Sequence, residues 1–187
     1  MQTFMVFFRE SMPLRRLKLI LRDEGYRNIR LDHDASSLVI DTDDESGELM
    51  TKIAHIIEDA MEDSGDVVVR SKSRLEQLLH QNPFQEATCP EQRTRYLLFQ
   101  NSPSPDRIVR LSHDLALNPN RIQFGPEGGY VCLSHDSEHL QRYIDSIEEY
   151  LKTPTLVRTH SALERAINLV GEHEERLETE FHESHGL

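Results

Sequence analysis

A chain of 187 residues with 37% hydrophobic content can bury one substantial core or two small ones, which argues against disorder along its whole length. Its formal charge of −12 argues against a general binder of nucleic acid or anionic membrane, because sequence-independent phosphate binding needs clustered lysines and arginines. Two cysteines, Cys89 and Cys132, make neither a disulfide framework nor a cysteine-based zinc site by themselves, and reduced thiols in a cytoplasmic protein are expected.

Thr3 to Phe8 reads as a strand, with Phe4, Val6 and Phe8 on one face. A helix follows from about Pro13, with Leu14, Leu17, Ile20 and Leu21 as its apolar stripe, Ser11 as a start signal and Gly25 as a C-cap. Tyr26 to Leu31 and Leu38 to Asp41 read as a hairpin through the polar turn "DHDASS". A second helix carries Leu49, Ile53, Ile56, Ile57 and Ala60, and Val67 to Val69 form a strand too apolar for an exposed edge. That order, βαββαβ, is the ferredoxin-like split unit.

"SRLE" at Ser73 to Glu76 is a capping-box pattern that opens a short helix, and "QNPF" ends it. After a linker at residues 85–93 the order repeats: strand Arg95 to Phe99, helix Asp106 to Leu115, strand Arg121 to Phe124, the turn "GPEGG", strand Tyr130 to Leu133, a helix with Leu140, Ile144, Ile147 and Leu151 inward, and a strand at Leu156 to Arg158. A second capping box, Ser161 to Glu164, starts an acidic C-terminal helix interrupted by Gly171. Its inner part is expected to pack on the second half, and its outer part to fray or dock on another subunit. The expected fold is therefore α+β, two tandem ferredoxin-like subdomains plus a C-terminal helix, divided as 1–84, a linker 85–93, 94–158 and 159–187.

No stretch is long enough to span a membrane, and the apolar start is too short for a signal peptide, so a cytoplasmic protein is expected. The acidic interval from Asp41 to Asp66 reads as a solvated loop and helix face. Arg15, Arg16, Lys18, Arg22, Arg27 and Arg30 make the first helix and the next strand locally basic, which an exposed helix face explains.

Among ten histidines, His135 and His139 stand four apart, a spacing that can put two metal ligands on one helix face. Asp136 or Ser137 as an N-cap would leave His135 outside that helix, so both read as surface histidines, and His173, His182 and His185 as solvated tail residues. There is no Gly-x-Ser-x-Gly elbow, and Cys132 in an apolar strand reads as a small core residue. "YVCLSH" lacks the basic, glycine and aromatic pattern of an RNA-binding strand.

The stretch "VVVRSKSRLEQLLHQNPF", residues 67 to 84, with "YLLF" at 96 to 99 and "YVCLSH" at 130 to 135, resembles the bacterial domain-of-unknown-function family numbered 1697. The resemblance implies two ferredoxin-like subdomains in tandem and names no activity. Three polar signatures depart from it. The family's "LRGINVGG" is "FRESMPL" here, keeping Arg9. Its "TYLQSGNVVF" is "LDHDASSLVI", with Ala35, Ser36 and Ser37 in the turn. Its "TxRNWNTV" is "TLVRTHSAL", keeping Arg158 and placing Thr159 and His160 where Asn and Trp stand.

A divergent member with a retained framework, rewritten polar turns and no catalytic constellation is expected to be a non-catalytic binding protein. Its partner is expected to be another protein, or a small anionic ligand between the two halves held by Arg9, Arg158, His160, Ser36 and Ser37. No catalytic residue, metal or cofactor is assigned. A metal-dependent or other small-molecule enzyme using His135 and His139 is the alternative, an RNA-binding module a further one, and self-association through the C-terminal helix is open.

Overall fold

The computed structural model describes residues 1–9, 11–34, 36–61, 64–133 and 138–185, leaving out the side chains of Glu138, His139, Glu178 and residues 180–185. It is an α+β protein with six α-helices and two four-stranded antiparallel sheets among the described residues. Two compact units divide it: Met1–Ser73 with Glu164–Leu187, and Arg74–Leu163.

The first unit runs β1 (Gln2–Phe8), α1 (Leu14–Asp23), β2 (Arg27–Asp32), β3 (Ser37–Thr42), α2 (Ser46–Met61) and β4 (Val67–Arg70), in sheet order β2-β3-β1-β4. Val6 stands opposite both Leu38 and Val69, so the alternation of β1 aligns Phe4, Val6, Phe8, Leu38, Ile40, Val67 and Val69 on one face. Leu14, Leu17 and Leu21 of α1 and Leu49, Ile53 and Ile57 of α2 close that face as a core. The other face is buried as well, at Met5, Phe7, Val39 and Val68. This is why β1 is apolar without interruption from Phe4 to Phe8 and why β4, although it ends the sheet, is buried at all four residues.

The helix α6 (His160–His185) reaches that side of the sheet where His173 meets Asp41 of β3, and Ala166 and Val170 on the same helix stripe are buried. The C-terminal helix thus belongs from Glu164 onward with the first unit, not the second as its position in the chain suggested. Nor does Gly171 interrupt it: the helix is continuous over 26 residues. A glycine inside a helix costs only about 1 kcal/mol, which tertiary packing on both sides of it outweighs.

The second unit contains the rest of α3 (Lys72–His80), β5 (Thr94–Phe99), α4 (Pro105–Asp114), β6 (Ile122–Phe124), β7 (Gly129–Cys132), α5 (Glu138–Leu151) and β8 (Thr155–Thr159). Its sheet order, β6-β7-β5-β8, repeats that of the first. Leu97, Phe99, Ile122 and Val131 face Leu111, Ile144, Ile147 and Leu151 in the core. Tyr96 and Tyr130 point to the opposite face, edge to face at 5.8 Å. Leu75 and Leu78 of α3 are buried, and Asn82 donates to the Tyr96 hydroxyl at 3.4 Å.

Helix starts differ from the sequence reading. α3 begins at Lys72 and α6 at His160, so Ser73 and Ser161 lie inside their helices. Thr159 is the capping residue of α6: its Oγ1 accepts from the Ala162 N–H at 3.1 Å. Pro13, not Ser11, precedes α1, and it offers no side-chain cap. The C-cap expectation is met: Gly25 has φ +94°, and the Gly25 and Tyr26 N–H groups donate to Arg22 and Leu21 carbonyls at 3.0 Å.

The cysteines are not free thiols. Cys89 and Cys132 are joined in a disulfide with Cα atoms 5.9 Å apart. The sheet explains the meeting: β5 and β7 place Thr94 opposite Cys132, and the Cys89 sulfur lies 3.6 Å from the Thr94 hydroxyl. No described helix is long and apolar enough to cross a membrane.

Candidate functional site

The five residues expected to bind a ligand fall in two sets. In the first unit the backbone brings the end of β1 against the hairpin turn: the Phe8 N–H donates to the Ser36 carbonyl at 2.9 Å, and Phe7 pairs with Ser37. Ser36 adopts φ +46° and is buried, as is Ser37, whose hydroxyl finds no hydrogen-bond partner among the described residues. Arg9 turns away to pair with Asp66, which Ser64 also contacts. Ala35 and Glu10 lie outside the described residues.

In the second unit, Arg158 is buried and donates to the Val157 carbonyl at 2.8 Å. His160 is hydrogen-bonded through Nδ1 to the Tyr96 hydroxyl at 2.8 Å, while its Nε2 lies 3.6 Å from the Glu91 carboxylate. This row of Glu91, His160 and Tyr96 has the chemical order of a proton relay, but it ends on a phenol that is fully buried. Next to it the Tyr130 hydroxyl is buried without a partner among the described residues, and burial, with the Glu127 charge, pushes it up to about 12. The arrangement gathers polar side chains on the Tyr96 and Tyr130 side of the sheet.

Sequence reasoning missed the most buried polar contact of the first unit. Asp41, read as part of a solvated acidic interval, and His173, read as solvated tail, are both buried and joined: Nε2 lies 3.0 and 2.9 Å from the two carboxylate oxygens. Thr3 donates to the same carboxylate at 2.9 Å and Asn28 at 3.0 Å. A register shift in β2 places Asn28 at φ +55°, a conformation asparagine tolerates. The available signal was phase: Asp41 falls on the same side of β3 as Val39, and His173 on the helix stripe of Ala166 and Val170.

An open groove of about 570 Å³ runs between the hairpin end at Leu31–Asp34 and Arg165, Asn168 and Glu172 of α6. Two of its carboxylates are paired, Asp32 with Arg165 at 3.8 Å and Glu172 with the neighbouring Arg30 at 3.1 Å. His135 lies outside the described residues, as does the side chain of His139. Among the described residues no cluster of three histidines, cysteines or carboxylates could hold a metal ion.

A further charged feature is the outer face of α1. Arg15, Arg16 and Arg22 are exposed and Lys18 partly so, around Leu19, which is 61% exposed. Arg16 donates to the Ala60 carbonyl near the end of α2 at 3.0 Å. The other three make no ion pair among the described residues. Burial and the neighbouring Arg22 charge lower the Lys18 pKa.

The fold is similar to that of the conserved bacterial protein SP0830 from Streptococcus pneumoniae: the two share 13% identity with a TM-score of 0.69, over 90% of this chain and 98% of the other. No curated protein matches the sequence. The model of the family described as "Protein of unknown function (DUF1697)" matches residues 6–127, and the chain belongs to that family.

Proposed function

We propose that the protein is a non-catalytic binding protein of two tandem ferredoxin-like subdomains, whose partner is another protein recognised at the surface. The common strand order of the two sheets supports the tandem reading. The observation that carries the functional one is what became of the rewritten turns. Arg9 lies on Asp66, and His160 lies on Tyr96 and Glu91, so these groups serve intrachain contacts. A small anionic ligand would have to compete with those carboxylates at both places, which favours a protein partner.

Native mass spectrometry and elemental analysis of the purified full chain test this reading. The expected result is the mass of the chain without stoichiometric metal or organic ligand. A stoichiometric metal, lost on His135→Ala or His139→Ala, or a bound small molecule released by Arg9→Ala or Arg158→Ala, would replace it with the enzyme or ligand-binding reading.

A further inference from the structure

We infer that the outer face of α1 is a docking surface for an acidic protein segment that presents an apolar side chain between carboxylates. The inference rests on the binding reading above and specifies its partner.

Arg15, Leu19 and Arg22 recur at i, i+4 and i+7, the spacing of a single exposed stripe, and Lys18 flanks it one turn from both arginines. Arg15, Lys18 and Arg22 therefore form a ladder of like charges at separations where cations repel each other. Asp23 and Glu24, at the end of the helix, make no ion pair with them among the described residues. Six cations elsewhere, Arg9, Arg30, Lys52, Lys72, Arg74 and Arg165, each lie against a carboxylate, while Arg93, Arg95 and Arg107 are taken up by backbone carbonyls. In a protein of net charge −12, three cations spaced along one exposed helix face with no ion pair among the described residues form a local concentration of positive charge.

The second unit separates what the fold needs from what this face adds. Its first helix, α4, has Arg107 in the third position, as α1 has Arg16. Arg107 donates to the Tyr150 carbonyl near the end of α5 at 3.0 Å, the counterpart of Arg16 on Ala60. This clamp is structural and common to both units. On α4 a carboxylate stands close by: His113 Nδ1 is 3.2 Å from Asp114, whose carboxyl is held low chiefly by the Tyr150 hydroxyl and to a lesser degree by Arg110. Arg15, Lys18 and Arg22 have no such carboxylate among the described residues; an exposed apolar residue stands on both helices, Leu19 on α1 and Val109 on α4.

Charge complementarity and Leu19 together select the partner. Acidic side chains would relieve the repulsion, and an apolar side chain would cover Leu19. A phosphate backbone could meet the charges but offers nothing to Leu19, and the charge of the whole protein opposes its approach.

The test uses the full chain and a short synthetic helical peptide with glutamates flanking two leucines one turn apart, by fluorescence anisotropy at low salt. Binding should weaken by about tenfold or more in Arg15→Glu/Arg22→Glu and on adding salt. It should also weaken in Leu19→Ser and when the peptide leucines are replaced by serine. Circular dichroism confirms that the variants fold, since all three side chains point to solvent. No binding by the unmutated chain, or equal binding by the variants, would overturn the inference. So would a single-stranded RNA that binds as tightly as the peptide, or sedimentation showing that this face joins two copies of the chain. If the peptide fails while native mass spectrometry finds no ligand, only the docking face is lost; a bound metal or small molecule would remove the reading beneath it.

Discussion

His173 Nε2 lies 2.9 Å from one oxygen of the Asp41 carboxylate and 3.0 Å from the other, although 132 residues separate the two in sequence. The ring donates to a group already receiving Thr3 and Asn28, and both partners are buried. Removing one partner of such a pair strands the other away from water, which costs about 3–5 kcal/mol. His173→Ala should therefore lower the urea-unfolding free energy by about that amount. The double variant with Asp41→Ala should lose clearly less than the sum of the single losses. A loss below about 1 kcal/mol in His173→Ala would mean that the contact does not anchor α6.

The Cys89–Cys132 disulfide closes a loop of 43 residues. In the chain-entropy account this restricts the unfolded chain by about 4 kcal/mol. Cys89→Ser/Cys132→Ser should unfold at correspondingly lower denaturant concentration, and thiol titration of the unmutated protein under denaturing, non-reducing conditions should find no free cysteine. The loop keeps other ties, because the Leu133 N–H donates to the Arg93 carbonyl at 3.0 Å and Arg93 Nε to the Leu133 carbonyl at 2.7 Å. Circular dichroism should accordingly show the strands intact after reduction.

Tyr130 sets an alkaline limit. Burial raises its phenol to about 12, so the folded protein resists its ionisation while the unfolded chain does not. The associated stability is complete below the ordinary tyrosine value and is lost as pH rises from there toward about 12. Tyr130→Phe should flatten the fall in melting temperature across that window. It should cost little at neutral pH, since the hydroxyl has no partner among the described residues. An unchanged alkaline profile in the variant would assign the limit to another group.

Asp44 works at the acidic end. Its carboxyl is held below the ordinary range chiefly by the hydrogen bond from Lys52, at 2.7 Å. A lowered carboxylate contributes stability above its unfolded pKa and loses it as pH falls through the folded one. Asp44→Asn should therefore narrow the stability difference between neutral and acid pH, by a small margin because the pair is solvent-screened. Added salt should shrink the effect in the unmutated protein.

Two glycines should respond oppositely to alanine. A Cβ on Gly128 would stand 2.4 Å from the Leu97 carbonyl oxygen, a backbone atom that cannot move aside, so Gly128→Ala should destabilise the second sheet. A Cβ on Gly47, in the first turn of α2, would meet nothing within 4 Å. Gly47→Ala should raise stability by about 0.5–1 kcal/mol through helix propensity. Melting curves of the two variants are the check.

The elements were legible wherever one face of one element carried the signal. Phe4, Val6 and Phe8, Leu49, Ile53 and Ile57, and Leu111, Ile144 and Ile147 all lie in the cores their periodicity indicated. Helix starts were less legible. "SKSR" and "THSA" each offer two hydroxyls, and the choice of Thr159 over Ser161 depends on where the preceding strand releases the chain.

By itself, the amino-acid sequence determined the order of strands and helices, the faces they bury and the repetition of that order, because period-two and period-3.6 patterns are properties of a few neighbouring residues. Only the tertiary structure decided that α6 returns to the first unit, that Asp41 and His173 meet, that Cys89 reaches Cys132 and that Arg16 and Arg107 do the same work. Each of these depends on a register between distant segments, and a polar or sulfur-bearing side chain carries no local mark of the partner it will find.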